Sequence, residues 1–283
     1  MNIGLVLSGG FAKGAYQLGA LRAISEFVPL EDIKCMSSSS IGTLNSYAYA
    51  TRQMDKIEDM WTNIMDGSSR VFITKILRGS LLQQYIKDIF NGEPMSIPFY
   101  TCLLDYAGKE VHYKNLAKTS LEKVPTYLKA SVAFPIYNKP VEMGARRYFD
   151  GGFVDNIPVH PLVKHDLDYI ICIYFDDIGY QFETSQFDGK IIKITFPEMS
   201  AIKDSFLIKP EDIEEMKKEG YERTMEILSS IFVNGHEDLE TIFESIRFHN
   251  EQLGSPKVRL TTDVVITGVN KTLARFAKRK VIF

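Results

Sequence analysis

Cysteine is scarce in this chain: Cys35, Cys102 and Cys172 are the only three in 283 residues. They lie far apart, with no Cys-x-x-Cys or Cys/His ligand spacing, so neither a disulfide framework nor a zinc site is indicated and a reducing compartment is expected. An excess of one charge is missing too, since 33 basic against 36 acidic residues leave a formal net charge of -3. No large positive field is available to hold a polyphosphate backbone, so nucleic acid is not an expected partner. Long apolar runs are also absent. The opening Met1 to Gly10 lacks the basic region and the apolar length of a signal peptide. The longest later run, Tyr169 to Phe175, falls well short of the roughly 20 residues a membrane-crossing helix needs. These absences predict a cytoplasmic protein, with any membrane contact peripheral.

What is present is ordinary globular composition, 45% apolar and 24% charged, arranged as alternating strands and helices. Ile3 to Leu7 is an apolar, strand-like run broken by Ser8-Gly9-Gly10, after which Ala12 to Phe27 has helical spacing. Ile33 to Ser37 and a helix from Ile41 to about Gln53 repeat the pattern after four serines. Met54 to Met65 reads as an amphipathic helix that either packs on the core or lines an acyl pocket. Pro98 to Asp105 and Lys109 to Tyr113 form an expected hairpin, Leu121 to Ala133 a helix, and Arg147 to Phe149 a strand ended by Asp150-Gly151-Gly152. Asp168 to Phe175 and Ile191 to Phe196 read as buried strands, and Glu211 to Ile231 and Asp238 to Phe248 as helices. The fold class is α/β with a largely parallel sheet covered on both faces, whose sites gather at the carboxyl ends of strands.

Three of those strand ends carry the parts of an acyl-transfer site. Gly9-Gly10-Phe11-Ala12-Lys13-Gly14 opens a helix, where outward backbone N–H groups attract negative charge. A phosphate loop would need Ser or Thr after Gly-Lys, and a dinucleotide loop would need glycine where Phe11 stands, which leaves an oxyanion hole. Ser38-Ser39-Ser40-Ile41-Gly42 is a degenerate nucleophile elbow, with Ser40 as the nucleophile, Gly42 at the second small position and Ser38 at the first. A helix cap is the competing reading of these serines. Asp150 before Gly151 and Gly152 could deprotonate the hydroxyl, or could belong to a plain Asp-Gly turn.

In combination, "LVLSGGFAKGAYQLGAL" at Leu5 to Leu21, "SSSIGTLN" at Ser38 to Asn45 and "KASVAFPIYNKPVEMGARRYFDGGFVDNIPV" at Lys129 to Val159 resemble the patatin-like phospholipase family over roughly residues 2 to 230. The resemblance implies a three-layer α/β/α fold with an acyl hydrolase domain over 1–233, and the chain from Asn234 onward, 234–283, reads as a helical appendage with a basic tail. It implies a Ser-Asp dyad without a catalytic histidine, acting on lipid or fatty-acyl esters through an acyl-enzyme. Ser40 matches the nucleophile and Asp150 the base, while Gly9, Gly10 and the Phe11 amide match the oxyanion loop. Lys13 and Gly14 match that loop's basic and final glycine positions. No metal or cofactor is implied.

Phe11 stands where the family usually has glycine, so a positive φ there would be strained and the oxyanion hole distorted. Ser38 for glycine is the milder departure. Two alternatives follow: a lipid-binding or scaffold protein that has lost turnover, and a Ser-His-Asp esterase using His160 or His165. The last fifteen residues, 269–283, hold Lys271, Arg275, Lys278, Arg279 and Lys280 among Leu273, Phe276, Val281, Ile282 and Phe283 without an acid. That pattern suits either an anionic membrane surface or an element docked on the body.

Overall fold

The computed structural model describes residues 1–64, 71–72, 81–135, 137–175, 189–196, 207–236, 238–253 and 278–282. In chain order the elements are β1 (Ile3–Leu7), α1 (Gly14–Phe27), β2 (Ile33–Ser38), α2 (Ile41–Ala50), α3 (Met54–Asn63), β3 (Val71–Phe72) and α4 (Leu81–Ile89). There follow β4 (Phe99–Asp105), β5 (Glu110–Asn115), α5 (Val124–Ser131), β6 (Val141–Met143), β7 (Arg146–Asp150), β8 (Tyr169–Tyr174) and β9 (Ile191–Thr195). The last are β10 (Leu207–Ile208), α6 (Pro210–Ile231), α7 (Leu239–Gln252) and β11 (Lys278–Ile282).

The main sheet has nine strands in the order β11-β5-β4-β2-β1-β8-β9, with β7 paired to β4 and β6 to β7. β1, β2, β8, β9 and the start of β4 run parallel, and β5, β6 and β7 enter antiparallel. The expected fold class holds: a mainly parallel sheet with helical segments on both sides. β1 and β8 are buried along their whole length because both faces are covered, which is why they read as unbroken apolar runs. Ile3, Leu5 and Leu7 face the larger core with α1, α2, α3 and α6. Val6, the three cysteines and Ile170 face the smaller one, closed by Val154, Ile157, Val159 and Leu162. The cysteines are free thiols, and burial alone pushes the Cys35 pKa up to about 12.

α1 and α6 cross through two glycines. A Cβ on Gly19 would stand 1.9 Å from the Lys217 carbonyl oxygen, and one on Gly220 would stand 2.1 Å from that of Tyr16. Only hydrogen fits at either position, and the two backbones touch. Ile57, Met60, Trp61 and Ile64 are buried in the larger core, so this face of α3 packs; Met65 lies outside the described residues. α2 stops at Ala50 rather than Gln53, and the helix expected over 121–133 is a 3-10 turn, Leu121–Lys123, followed by α5. Within the span 234–283, α7 buries Ile242 and Ile246 in the larger core and β11 pairs with β5. Val269 to Ala277, with Lys271 and Arg275, lies outside the described residues.

Candidate active site

The parallel register brings the ends of β1 and β2 side by side, Leu7 opposite Ser38, with the Ser39 amide donating to the Leu7 carbonyl at 3.2 Å. β7 arrives from the other direction and sets Asp150 opposite Leu103 of β4. The three loops singled out in the sequence therefore converge on one end of the sheet.

Ser40 occupies the junction between β2 and α2 at φ 50°, ψ -134°, a conformation that costs a non-glycine residue free energy. It holds the N-cap position of α2, yet its side chain makes no capping hydrogen bond. The cap reading of these serines therefore fails at Ser40. The sharp turn needs a close approach at Gly42, whose Cβ would lie 2.5 Å from the Ser8 carbonyl oxygen. Ser38 is accommodated because its hydroxyl donates to Thr43 Oγ1 at 3.3 Å, and Thr43 bonds Thr101 at 3.1 Å. The substitution leaves no buried hydroxyl unpaired.

Asp150 is buried, its amide bonded to the Ala133 carbonyl at 3.0 Å and its Oδ1 accepting from the Gly152 amide at 2.8 Å. Gly151 lies against β4, where a Cβ would meet Cys102 at 2.5 Å. Burial pushes the Asp150 pKa up to about 7, opposed by hydrogen bonding from the Ser40 side chain, the Gly152 amide and the Ser40 backbone. Desolvation wins because a carboxylate cut off from water is held by only a few short dipoles. The result is a group that exchanges its proton near neutrality beside a serine hydroxyl that caps nothing.

The glycine turn departs from expectation in one donor. The Gly9 amide, expected among the oxyanion donors, is spent inside the protein on Ser39 Oγ at 2.8 Å and Asn156 Oδ1 at 3.0 Å. Gly10 follows in extended backbone, φ 176°, and its amide has no acceptor among the described residues. Phe11 then adopts φ 50°, so the left-handed turn usual for glycine is made here by phenylalanine. Lys13 closes the 3-10 turn Phe11–Lys13, its amide donating to the Gly10 carbonyl at 3.0 Å, and Gly14 starts α1 where a Cβ would meet the Trp61 ring at 2.6 Å.

Half-buried aromatic rings border the three loops. Phe11 meets Phe134 edge-on at 5.2 Å between centroids, and Phe134 meets Phe153 at 5.8 Å. A Cβ on Gly10 would stand 2.4 Å from the Phe175 ring. The histidines contact other groups. His165 bonds the Tyr100 hydroxyl at 3.2 Å, His160 lies against the Tyr113 ring, and His112, His236 and His249 contact Tyr148, Tyr169 and the Lys193 carbonyl. Among the described residues no group of three or more His, Cys, Asp and Glu could hold a metal ion, and no helix is long and apolar enough to cross a membrane.

Asn156 was not singled out by sequence. Its side chain reaches Gly9 across 147 positions, and the only local signal is its place six residues after Asp150.

A family model described as patatin-like phospholipase matches residues 5–163. A protein named lysophospholipase NTE1 in Cryptococcus neoformans var. neoformans serotype D is 28% identical over 205 residues, covering 66% of this chain and 12% of that one. An NTE family protein of Mycobacterium bovis is 25% identical over 185 residues, covering 61% of this chain and 48% of that one. The chain thus spans less than half the length of either relative. Among solved structures, VipD from Legionella pneumophila aligns with a TM-score of 0.48 at 16% identity, over 89% of this chain and 74% of that one.

Proposed function

The chain belongs to the patatin-like phospholipase family, and from that premise we propose that it hydrolyses lipid acyl esters with Ser40 as nucleophile and Asp150 as base. Asp150 takes the Ser40 proton as Oγ attacks the ester carbonyl carbon. The developing oxyanion is held by the Gly10 amide and that of Phe11 next to it, at the start of the helical turn. The C–O bond to the alcohol breaks, the alcohol leaves with the proton from Asp150, and an acyl-enzyme remains. Water, deprotonated by the same carboxylate, then attacks the acyl carbon and restores Ser40 as the fatty acid departs.

The observation that carries this reading is the Ser40 side chain, held at φ 50° without a capping bond and facing a buried carboxylate of pKa about 7. A base near neutrality suits proton transfer far better than a carboxylate at its ordinary 3.8. Among the described residues the Asp150 carboxylate has Ser40 and Gly152 as partners, which favours two groups over a Ser-His-Asp set. Against the scaffold alternative stand Phe11, which keeps the left-handed turn, and Ser38, whose hydroxyl is satisfied.

Half-buried Phe11, Phe134 and Phe153 around the site suit an apolar acyl chain, and the named lysophospholipase relative agrees with a fatty-acyl ester substrate. Peripheral contact with an anionic membrane through 269–283 belongs to the same proposal. Within its described part Lys278 and Lys280 are exposed on β11, while Arg279 is half-buried and acts electrostatically on Tyr113 and Cys102.

The test is covalent labelling by a fluorophosphonate probe together with turnover of a short-chain p-nitrophenyl ester, in the parent protein and in Ser40→Ala. Labelling and turnover should both vanish in the variant while its melting temperature is kept. Turnover that survives in Ser40→Ala would discard the assignment.

A further inference from the structure

We infer that Asn156 is a positioning residue for the acyl transfer proposed above: its side-chain amide grips both backbone groups of Gly9, the N–H of the Ser8–Gly9 peptide and the C=O of the Gly9–Gly10 peptide, and thereby fixes where the next amides, of Gly10 and Phe11, point. The inference rests on that functional reading for its kinetic consequence, and on hydrogen-bond geometry for the grip itself.

The grip has two points. Asn156 Oδ1 accepts from the Gly9 amide at 3.0 Å, and Asn156 Nδ2 donates to the Gly9 carbonyl at 3.2 Å. A primary amide can accept from the N–H and donate to the C=O of one residue at once; a carboxylate supplies no donor, and a hydroxyl is too short to span both groups. The same N–H is held from a second side. Ser39 Oγ accepts from the Gly9 amide at 2.8 Å and donates to the Asn156 backbone carbonyl at 2.7 Å. Three segments distant in sequence, the turn after β1, the elbow before α2 and the turn after β7, therefore share one hydrogen-bonded knot.

The knot sits directly on the site. A Cβ on Gly9 would stand 2.5 Å from Asn156 Oδ1 and 2.8 Å from Ser40 Cβ, so the grip and the Ser40 side chain both crowd this glycine. The position of a Cβ on Gly152 lies 3.0 Å from Asn156 Oδ1 and 3.1 Å from Asp150 Oδ1, so both oxygens border the same glycine. Asn156 itself is an exposed residue. An exposed side chain contributes little to global stability, yet this one is spent on the residue immediately before the turn whose amides are proposed to meet substrate. Without it Gly9 keeps the Ser39 and Ser8 hydroxyls and the more distant Asn156 carbonyl, and a glycine held less firmly lets the two amides that follow shift with it.

The experiment compares Asn156→Ala, Ser39→Ala and the double variant in the full chain, reading kcat and KM separately on the p-nitrophenyl ester. Asn156→Ala should lower kcat about 10- to 100-fold, in line with a misplacement on the order of 1 Å or the loss of one oxyanion donor, with KM changed less than about twofold. The double variant should lose less than the product of the single losses, because both side chains hold one amide. Asn156→Asp keeps the acceptor and loses the donor, so it should not restore kcat. An unchanged kcat in Asn156→Ala, a loss confined to KM, or full activity in Asn156→Asp would overturn the inference. If the parent protein shows no Ser40-dependent turnover, the functional reading falls, and exchange of the Gly9 amide still decides the grip. That exchange should speed up at least tenfold in Asn156→Ala, and unchanged protection would overturn it.

Discussion

Asp150→Asn should make the protein more stable while abolishing its activity, and the gain should depend on pH in a defined window. Asp150 is buried and its pKa is raised from the ordinary 3.8 to about 7 by desolvation. The folded state therefore holds the proton more tightly than the unfolded chain. A raised folded pKa gives stability that is complete below the unfolded value and is lost as pH climbs through the folded one, so parent stability falls between pH about 4 and 7. At about 1.4 kcal/mol per unit, the displacement makes about 4 kcal/mol of cost for carrying the charge at pH 8, an upper bound because neighbours relax. Asparagine never ionises, and its Oδ1 still accepts the Gly152 amide. Urea unfolding of both proteins at pH 5 and pH 8 reads the difference, and Asp150→Asn should gain about 3 kcal/mol on the parent between the two. A difference that stays constant over this range, or a variant less stable than the parent at pH 8, would refute the burial argument.

The same carboxylate predicts an acid limb for ester hydrolysis: kcat should be half-maximal near pH 7 and fall about tenfold per unit below it, because protonated Asp150 cannot take the Ser40 proton. A limb centred near 4 in a pH-rate profile would exclude Asp150 as the base. Phe11→Gly should relieve a backbone cost of about 1 kcal/mol at φ 50° but lose the edge-on contact with Phe134, leaving the protein about 1 kcal/mol less stable, with kcat on a small ester within about threefold. A kcat loss of a hundredfold would mean that the ring, rather than the turn, is essential. Gly220→Ala should cost about 3 kcal/mol in urea unfolding, since its Cβ would stand 2.1 Å from the Tyr16 carbonyl oxygen and push α1 and α6 apart. A loss under 1 kcal/mol would show that the helices separate easily.

Much of the candidate site was legible because its parts end strands. Ile3 to Leu7 before Gly9, Ile33 to Ser38 before Ser40, and Tyr148 and Phe149 before Asp150 each show the switch from buried run to turn that marks a carboxyl end. The φ 50° at Phe11 was also foreseeable, from the glycine usual at that position. What escaped were relations between distant segments. Nothing local tells Phe99–Asp105 to pair parallel with β2 in its first half and antiparallel with β7 in its second. The commitment of the Gly9 amide is equally invisible, because it depends on Ser39 and Asn156 arriving together. Met143 to Arg146 is a tight turn around Gly144, φ 62°, too short to signal β6 by periodicity. Lys278 to Ile282 carries three basic residues in five, a pattern that suits a membrane surface as well as an element docked on the body, and nothing local names β5 as the strand it pairs with.

That last strand bears on how the molecule is made. β5 receives its outer partner β11 from far downstream, so during synthesis the edge of β5 waits, unpaired, until long after β4 has joined it. A waiting edge is the part of a nascent sheet most open to pairing with another chain. The charges at Lys278 and Lys280 keep the latecomer from pairing with itself, and its parallel union with β5 is among the slower steps available to the chain, since the whole intervening loop must close first. Aggregation during expression should therefore respond to residues 278–282 more strongly than their small share of the core suggests.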